Sequence, residues 1–479
     1  MTTTPARRTR PASARPGLGG SRLAPAAFSD SMRVNKAFAR ARRDTRRGVN
    51  RITATESPER HWKPKRSGGD DPAAHLTIEQ IEEMGRELDA IRQRVMDSRG
   101  SADAAYIRRV IATQRALDMG GRLVLMVGSR TKVGFVLGTG ALAVAKILEN
   151  MEIGHNILHG QWDWMRDPRI HSSTWEWDHP STAEGWKHSH NDLHHTYTNV
   201  IGRDNDLGFG IARVDPDQPW KPWMVWQPLF NAVNAVTFEY SIALYDLELG
   251  RYAGKPLAAW KPAVPGLLGV GKKVAQQVAK DYVVTPALSG PNWKSTLAAT
   301  WTANLTRNLW SNAVILCGHF PEGVQTFSRA STVGETRGEW YLRQMLGSAN
   351  ISGSPLMHIM TGNLSHQIEH HCFPDLPSNR YAEISVEMRD VFDRYGFAYV
   401  SGPLPVQLAS AWGKIFRYAL PNGAWGQLRR DPVGSVATGA QWAVRQLLGG
   451  SRKKAARKSA LRKRALRGSA AGKAAGAGA

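Results

Sequence analysis

The chain has 479 residues, a formal net charge of +23 and two cysteines, enough length for a large core and too few cysteines for a disulfide-dense scaffold. The charge suggests nucleic-acid binding until it is mapped. Residues 1–71 carry 17 Lys/Arg against 6 Asp/Glu, and residues 450–479 carry 10 Lys/Arg and no acid. The body between them is nearly neutral, so the basic character belongs to the tails.

Residues 1–75 read as a disordered basic N-terminal tail, poor in large apolar residues and with no apolar signal-peptide core. Ordered structure is expected over 76–420. Thr77 and Gln80 form a capping box, and Ile78, Ile81, Met84, Leu88, Ile91 and Val95 recur at helical spacing. A second helix is expected from Ala104 toward Met126. Membrane spans are less plain, because no uncharged apolar run reaches the usual 18 residues. Val133–Ala145 and Pro222–Phe238 are uncharged, while Ser295–Gly318 is long enough but carries Arg307. Tryptophans 220, 223, 226, 293, 301 and 310 flank these segments, as interfacial aromatics do. Lys146, Glu149, Glu152 and Arg307 would then face the bundle interior. One conflict stands: 247–294 holds seven Lys/Arg and two acids, and an out-and-back hairpin of 222–246 and 295–318 would place it outside, against the positive-inside tendency. A re-entrant segment would remove the conflict. Ser378 opens a last helix, with Ile384, Met388, Val391 and Phe392 on one face. Residues 421–449 read as a C-terminal amphipathic segment and 450–479 as a disordered Lys/Arg/Ala-rich tail.

Eight of the fifteen histidines fall in three short stretches: His155-Asn-Ile-Leu-His159, His190-Asn-Asp-Leu-His194-His195 and His366-Gln-Ile-Glu-His370-His371. Imidazoles at this spacing share one side of a helix or turn and suit transition metals. Eight are too many for one four-coordinate ion and suit two ions of higher coordination. Asn156 occupies the position where a zinc protease needs its catalytic glutamate, and no Cys-x-x-Cys is present. Cys317 and Cys372 are expected to be small buried filler beside the site.

The order HxxxH, HxxxHH, (H/Q)xxHH resembles the membrane-bound fatty acid desaturases. The flanking strings Glu152-Ile-Gly before His155, Trp186-Lys-His-Ser before His190 and Gly362-Asn363-Leu-Ser before His366 are similar to those of actinobacterial acyl-CoA desaturases. The resemblance implies an all-α integral membrane bundle with a cytoplasmic di-iron cap, multi-pass in the inner (plasma) membrane, with the tails on the cytoplasmic side. It implies two Fe ions held by His155, His159, His190, His194, His195, His319, Gln367, His370 and His371, with Gln367 rather than His366 at the family's ligand position. Trp162, Asp163, Asn199 and His366 are candidates for substrate contact or for orienting ligands, and Glu152, Asp192, Asp204, Asp206 and Glu369 could fix ligand tautomers. His171, His179, His188 and His358 lie off the pattern and read as structural.

The implied activity is O2-dependent insertion of a cis double bond, at Δ9, into a long-chain acyl-CoA. Acyl-lipid desaturation and fatty acyl or alkane hydroxylation use the same boxes, and a basic nucleic-acid-associated protein is the competing class. No dinucleotide, flavin, iron–sulfur or fused cytochrome b5 motif is visible. Electrons are therefore expected from a separate reductase, which the resemblance implies is an NAD(P)H-dependent flavin/iron–sulfur protein, and the remaining partners are O2, membrane lipids and the acyl substrate.

Overall fold

The computed structural model describes residues 71–431; nearly all of the expected N-terminal tail, and everything after 431, lies outside them. The chain is already packed before Leu76, since Ala73 is fully buried. Helix α1 (Ile78–Ser98) starts at the Thr77/Gln80 capping box and buries Ile81, Met84, Leu88, Ile91 and Val95 against α8 (Arg337–Leu346) and α10 (Tyr381–Arg394). The α1–α8 crossing is a glycine contact. A Cβ on Gly338 would lie 2.3 Å from the Ile81 carbonyl oxygen, so no other residue fits there.

Helices α2 (Ser101–Gly128) and α3 (Lys132–Leu148) form an antiparallel hairpin. Small residues let the backbones close: a Cβ on Gly138 would meet Leu125 Cγ at 2.6 Å. The long α7 (Trp293–His319), 27 residues and so about 40 Å, packs on α3. Its first turn meets the hairpin tip through Ser129 Oγ and Ser295 Oγ, 2.6 Å apart. Both His155 and His319 are therefore carried at the opposite end of the bundle.

The segment expected as a span at 222–238 is two helices, α4 (Gln227–Val236) and α5 (Phe238–Asp246), broken at Thr237 (φ −105°, ψ 24°). Gln227 Nε2 donates to the Ile415 carbonyl of α11 (Leu404–Tyr418), near the level of Phe320, with which Ile415 shares a core. The break lies halfway down α7, where Asn308 Nδ2 donates to the Val236 carbonyl. Asp246 then returns to the histidine end, where it accepts from Ser181. The pair enters and leaves on one side, so the basic residues 251–261 lie on the histidine side and the conflict disappears. The chain next descends through α6 (Val264–Val278), a π-helical turn Ala279–Val284 and Thr285–Leu288.

Lys146, Glu149, Glu152 and Arg307 do face the interior. Lys146 Nζ bonds Asp281 Oδ2 at 2.6 Å, Arg122 bonds the other oxygen at 3.0 Å, and Arg307 pairs with Glu239. A two-stranded parallel pair, β1 (Asn350–Ser352) and β2 (Ser401–Pro403), ties the ends of the cap together.

Candidate metal centre

Two of the histidine boxes are carried on π-helical turns. After Leu148 the α3 helix widens over Glu149–His155, and a second π turn spans Lys187–His194. The wider i→i+5 turn re-aims side chains, a device frequent at functional sites. The third box starts helix α9 (Gln367–Cys372) after two left-handed residues, Gly362 (φ 70°) and Asn363 (φ 55°). A Cβ on Gly362 would stand 2.5 Å from the Met151 carbonyl oxygen, which places the third box directly on the first.

The boxes converge into two adjoining groups. His155, His159, His190 and His370 each present a nitrogen within 4.8 Å of the others, and His194, His319 and His371 do the same. His195 sits between them, stacked on His371 at 4.4 Å and 4.6 Å from His159. Outer hydrogen bonds fix the tautomers. Asn156 spends its amide NH2 on the carbonyls of Glu152 and Gly362, so its oxygen accepts from His155 Nδ1 at 3.1 Å. Asp206 and Asp204 accept from Nδ1 of His190 and His194 at 3.2 and 3.0 Å. Thr198 and Tyr381 donate their hydroxyl protons to backbone carbonyls, leaving their oxygens to accept from His371 and His370.

Five rings thus carry Nδ1–H and turn Nε2 inward, as a bare lone pair in His155, His190, His370 and His371. His155 and His190 Nε2 face each other at 3.3 Å, and His371 and His319 Nε2 at 3.2 Å. His159, His194 and His370 Nε2 are buried with no hydrogen-bond partner among the described residues. Converging, unpaired acceptors are costly unless a cation lies between them, and all-imidazole donors of this kind fit iron. Burial, then repulsion from neighbouring imidazoles, pushes His190, His195, His370 and His371 well below the usual histidine range. His194 is the exception. Burial would lower it too, but the Asp204 and Asp206 carboxylates raise it to about 9.

The family model described as fatty acid desaturase matches residues 133–403, a stretch containing every ligand candidate. The chain belongs to the fatty acid desaturase family. It is an enzyme of the oxidoreductase class. The NADPH-dependent stearoyl-CoA 9-desaturase of Mycobacterium tuberculosis is 50% identical over 356 residues, covering 74% of this chain and 83% of that protein. The sn-1 linoleoyl-lipid 6-desaturase of Synechocystis is 25% identical over 277 residues, 55% of this chain and 74% of its own. The acyl-lipid 8-desaturase of Rebecca salina is 42% identical over 231 residues, 46% and 48% of the two chains.

Within this desaturase, Gln367 and His366 are separated cleanly. Gln367 lies with its amide 2.9 Å from His319 Nε2, and turning the amide over presents its oxygen there instead. Gly318 makes this possible, because a Cβ on it would meet Gln367 Cγ and Cδ at 2.9 Å. His366 points away, its ring 4.5 Å from His358. Trp162 and Asp163, candidates for substrate contact or for ordering the boxes, do not line the cavity described below: Trp162 is fully buried beside Tyr106, and Asp163 accepts from Ser172 N and Oγ to close a loop. Asn199 acts at one remove, spanning the Gln325 and Gly347 carbonyls while its N–H donates to Asp204.

Of the expected orienting acids, Asp204 and Asp206 touch ligands. Glu152 instead accepts from Tyr106, Asn363 and Ser378, Glu369 accepts from Asn350 and Tyr399, and Asp192 pairs with His188 at the surface. His171, His179, His188 and His358 join neither ligand group. Tyr381, Gln344 and Thr198, which bond Nδ1 of box-three ligands, went unnoticed in the sequence. Thr198 follows box two by three residues and Tyr381 follows box three by ten, but neither they nor Gln344 stand at a spacing that marks them as partners of these histidines. A narrow cavity of about 70 Å³ opens from the histidine groups, walled by His155, His190, His194 and His319 at the head and by Phe209, Phe238, Ile242 and Ile315 below. Both cysteines are buried and free.

Proposed function

We propose that this protein is an O2-dependent di-iron desaturase that sets a cis double bond at Δ9 of a saturated long-chain acyl-CoA. The carrying observation is the pair of adjoining histidine groups, lone pairs inward, at the head of a mainly apolar cavity. The printed name of the Mycobacterium tuberculosis relative supports the substrate and the position. His155, His159, His190 and His370 would hold one ion, and His194, His319 and His371 the other. His195 stands between them, and Gln367 beside His319.

Two iron ions held there would supply oxidation of unactivated C–H bonds by O2, which no side chain performs alone. The protein's own part is positional. Asp204, Asp206, Asn156, Thr198 and Tyr381 hold the imidazoles in one tautomer, and the apolar walls present a chain segment to the groups while keeping water out. The acyl chain gives up two hydrogens, and two protons and two external electrons complete the reduction of O2 to two waters. We assign those electrons to a separate NAD(P)H-dependent flavin/iron–sulfur reductase, in keeping with the NADPH dependence in the relative's name.

The bundle is proposed to be a multi-pass plasma-membrane domain. The helical run Lys132–Leu158 is long and apolar enough to cross by length and composition. Exposed apolar side chains continue around it: Leu123, Val127, Val133 and Leu137 on the hairpin, Leu229 and Val233 on α4, Leu268 on α6, Trp301 on α7. In this arrangement α2, α3, α6 with its continuation, and α7 cross, α4–α5 re-enters, and the histidine cap faces the cytoplasm. Expression with a reductase, followed by mass spectrometry of cellular fatty acids against a His194→Ala control, tests the activity. A wild-type product bearing a hydroxyl and no new double bond would sink it.

A further inference from the structure

The cavity runs between α5 and α7, and each helix orders its wall. On α7 the lining positions are His319, Ile315, Ser311, Asn308 and Arg307, twelve residues and therefore about 18 Å from first to last. On α5 they pass from Asp246 and Tyr245, near the histidine groups, down to Glu239 and Phe238. At the deep end of this lining Glu239 and Arg307 form an ion pair, each 1% exposed. Gln277 Nε2 donates to Glu239 at 2.6 Å, and Arg307 donates to Asn308 Oδ1 at 2.9 Å and to Asn304 Oδ1 at 3.2 Å. Nothing in the chemistry above uses this cluster, yet it stands at the deep end of a passage whose walls include Phe238, Ile242 and Ile315 as well as Ser311 and Asn308.

We propose that the Glu239–Arg307 pair is the floor of the acyl channel and sets how much chain extends beyond the oxidised carbons. The proposal rests on the reading that this cavity holds the acyl chain. A hydrogen-bonded pair in a dry bundle resists separation, since either charge left alone is strongly disfavoured, so a methyl terminus stops against it. Taking about 3.5–4 Å of contact distance at each end from ~18 Å leaves roughly 11 Å. With ~1.5 Å bonds in a zig-zag that is about eight or nine carbons, the methyl-side half of an eighteen-carbon chain oxidised at its middle.

Two substitutions move the floor in opposite directions. Ser311→Phe fills the channel one turn nearer the ligand groups and should favour shorter chains. Glu239→Ala with Arg307→Ala opens the floor and should favour longer ones. One methylene too many or too few in an apolar pocket changes kcat/KM by roughly 10–200-fold, so the eighteen-to-sixteen-carbon preference should move at least about tenfold in each case. A second reading needs no turnover: thermal stabilisation of the purified protein by saturated acyl-CoAs of fourteen to twenty carbons should peak at shorter chains for Ser311→Phe. Should the double variant not fold, Ser311→Phe and the smaller Ser311→Leu decide the matter. An unchanged length optimum in both readouts for the Ser311 variants overturns the floor, as does a shift toward longer chains. A wild-type protein that desaturates while the variants keep its length preference refutes only the floor; a wild type making no double bond refutes the activity itself.

Discussion

Replacing Gly318 by alanine separates the stability of the bundle from the integrity of the site. The new Cβ would sit 2.9 Å from both Cγ and Cδ of Gln367, well inside the ~3.5–4.0 Å optimum for carbon contacts. Overpacking of this kind costs about 1–3 kcal/mol, while alanine in a helix gains about 1 kcal/mol over glycine. If Gln367 keeps its place beside His319, the net loss is ~0–2 kcal/mol. If Gln367 swings out, stability is nearly unchanged and the contact with His319 is lost. A double-mutant cycle with Gln367→Ala tells these apart. Removing the glutamine relieves the clash, so the double variant should be more stable than the sum of the singles by roughly 1–2 kcal/mol. The assay is thermal unfolding of metal-free protein in detergent, with iron per chain measured after reconstitution. Additivity within about 0.5 kcal/mol, together with full iron in Gly318→Ala, would refute the idea that Gly318 exists to admit Gln367.

Four further outcomes follow from the geometry. Gln367→Ala should lower iron content while His366→Ala leaves it intact, because only Gln367 approaches a ligand group; equal loss in both would contradict this. Asp204→Asn should weaken iron binding about 10–100-fold in a chelator competition. In metal-free protein His194 is raised to about 9 from an ordinary value near 6.5, so its pairing stabilises fully below pH ~6.5 and is lost as pH rises through about 9. The unfolding-temperature gap between wild type and Asp204→Asn should therefore shrink between those limits, and a gap that widens refutes the assignment. Asp281→Ala leaves buried Lys146 without its carboxylate, while Arg122 keeps Asp118, and should cost about 3–5 kcal/mol, checked by denaturant unfolding. In intact cells, a membrane-impermeant thiol reagent should label Arg130→Cys at the hairpin tip and spare Arg251→Cys; the reverse pattern would invert the membrane orientation.

The convergence of the histidine boxes was legible because spacing on a helix fixes which side chains share a face. What spacing could not show is how they divide. His190 and His194 belong to one box but serve different groups, their rings 5.0 Å apart on a π turn. Adjacent His370 and His371 leave the helix in different directions, as neighbours at a 3.6-residue period must, and go one to each group, their rings 5.5 Å apart. Proximity along the chain misled at Trp162 and Asp163, which follow a ligand in sequence but turn into the protein and a loop. The break at Thr237 within 222–246 had no glycine or proline to announce it, since Pro222 and Pro228 stand only at the start of the segment. An uncharged run reads alike whether it crosses or folds back, and only the partners of Gln227, Val236 and Asp246 show that it returns.

The same partners bear on why hydropathy finds, among the described residues, a single candidate span in the bundle proposed above to cross the membrane. Read singly, α2, the turn after α6, and α7 carry charges that argue against a span, among them Arg122, Asp281 and Arg307. In the folded chain these charges meet one another or a neighbour. Asp281 takes Lys146 and Arg122, and Glu239 takes Arg307, so each is neutralised away from the exposed apolar belt. A charged group is prohibitive in lipid only when it must face lipid alone. Hydropathy sums over one helix cannot see that cancellation, whereas pairs of opposite sign on helices that pack together can be sought directly. Here those pairs also mark where the bundle is dry, and one of them stands at the end of the cavity that the histidines open.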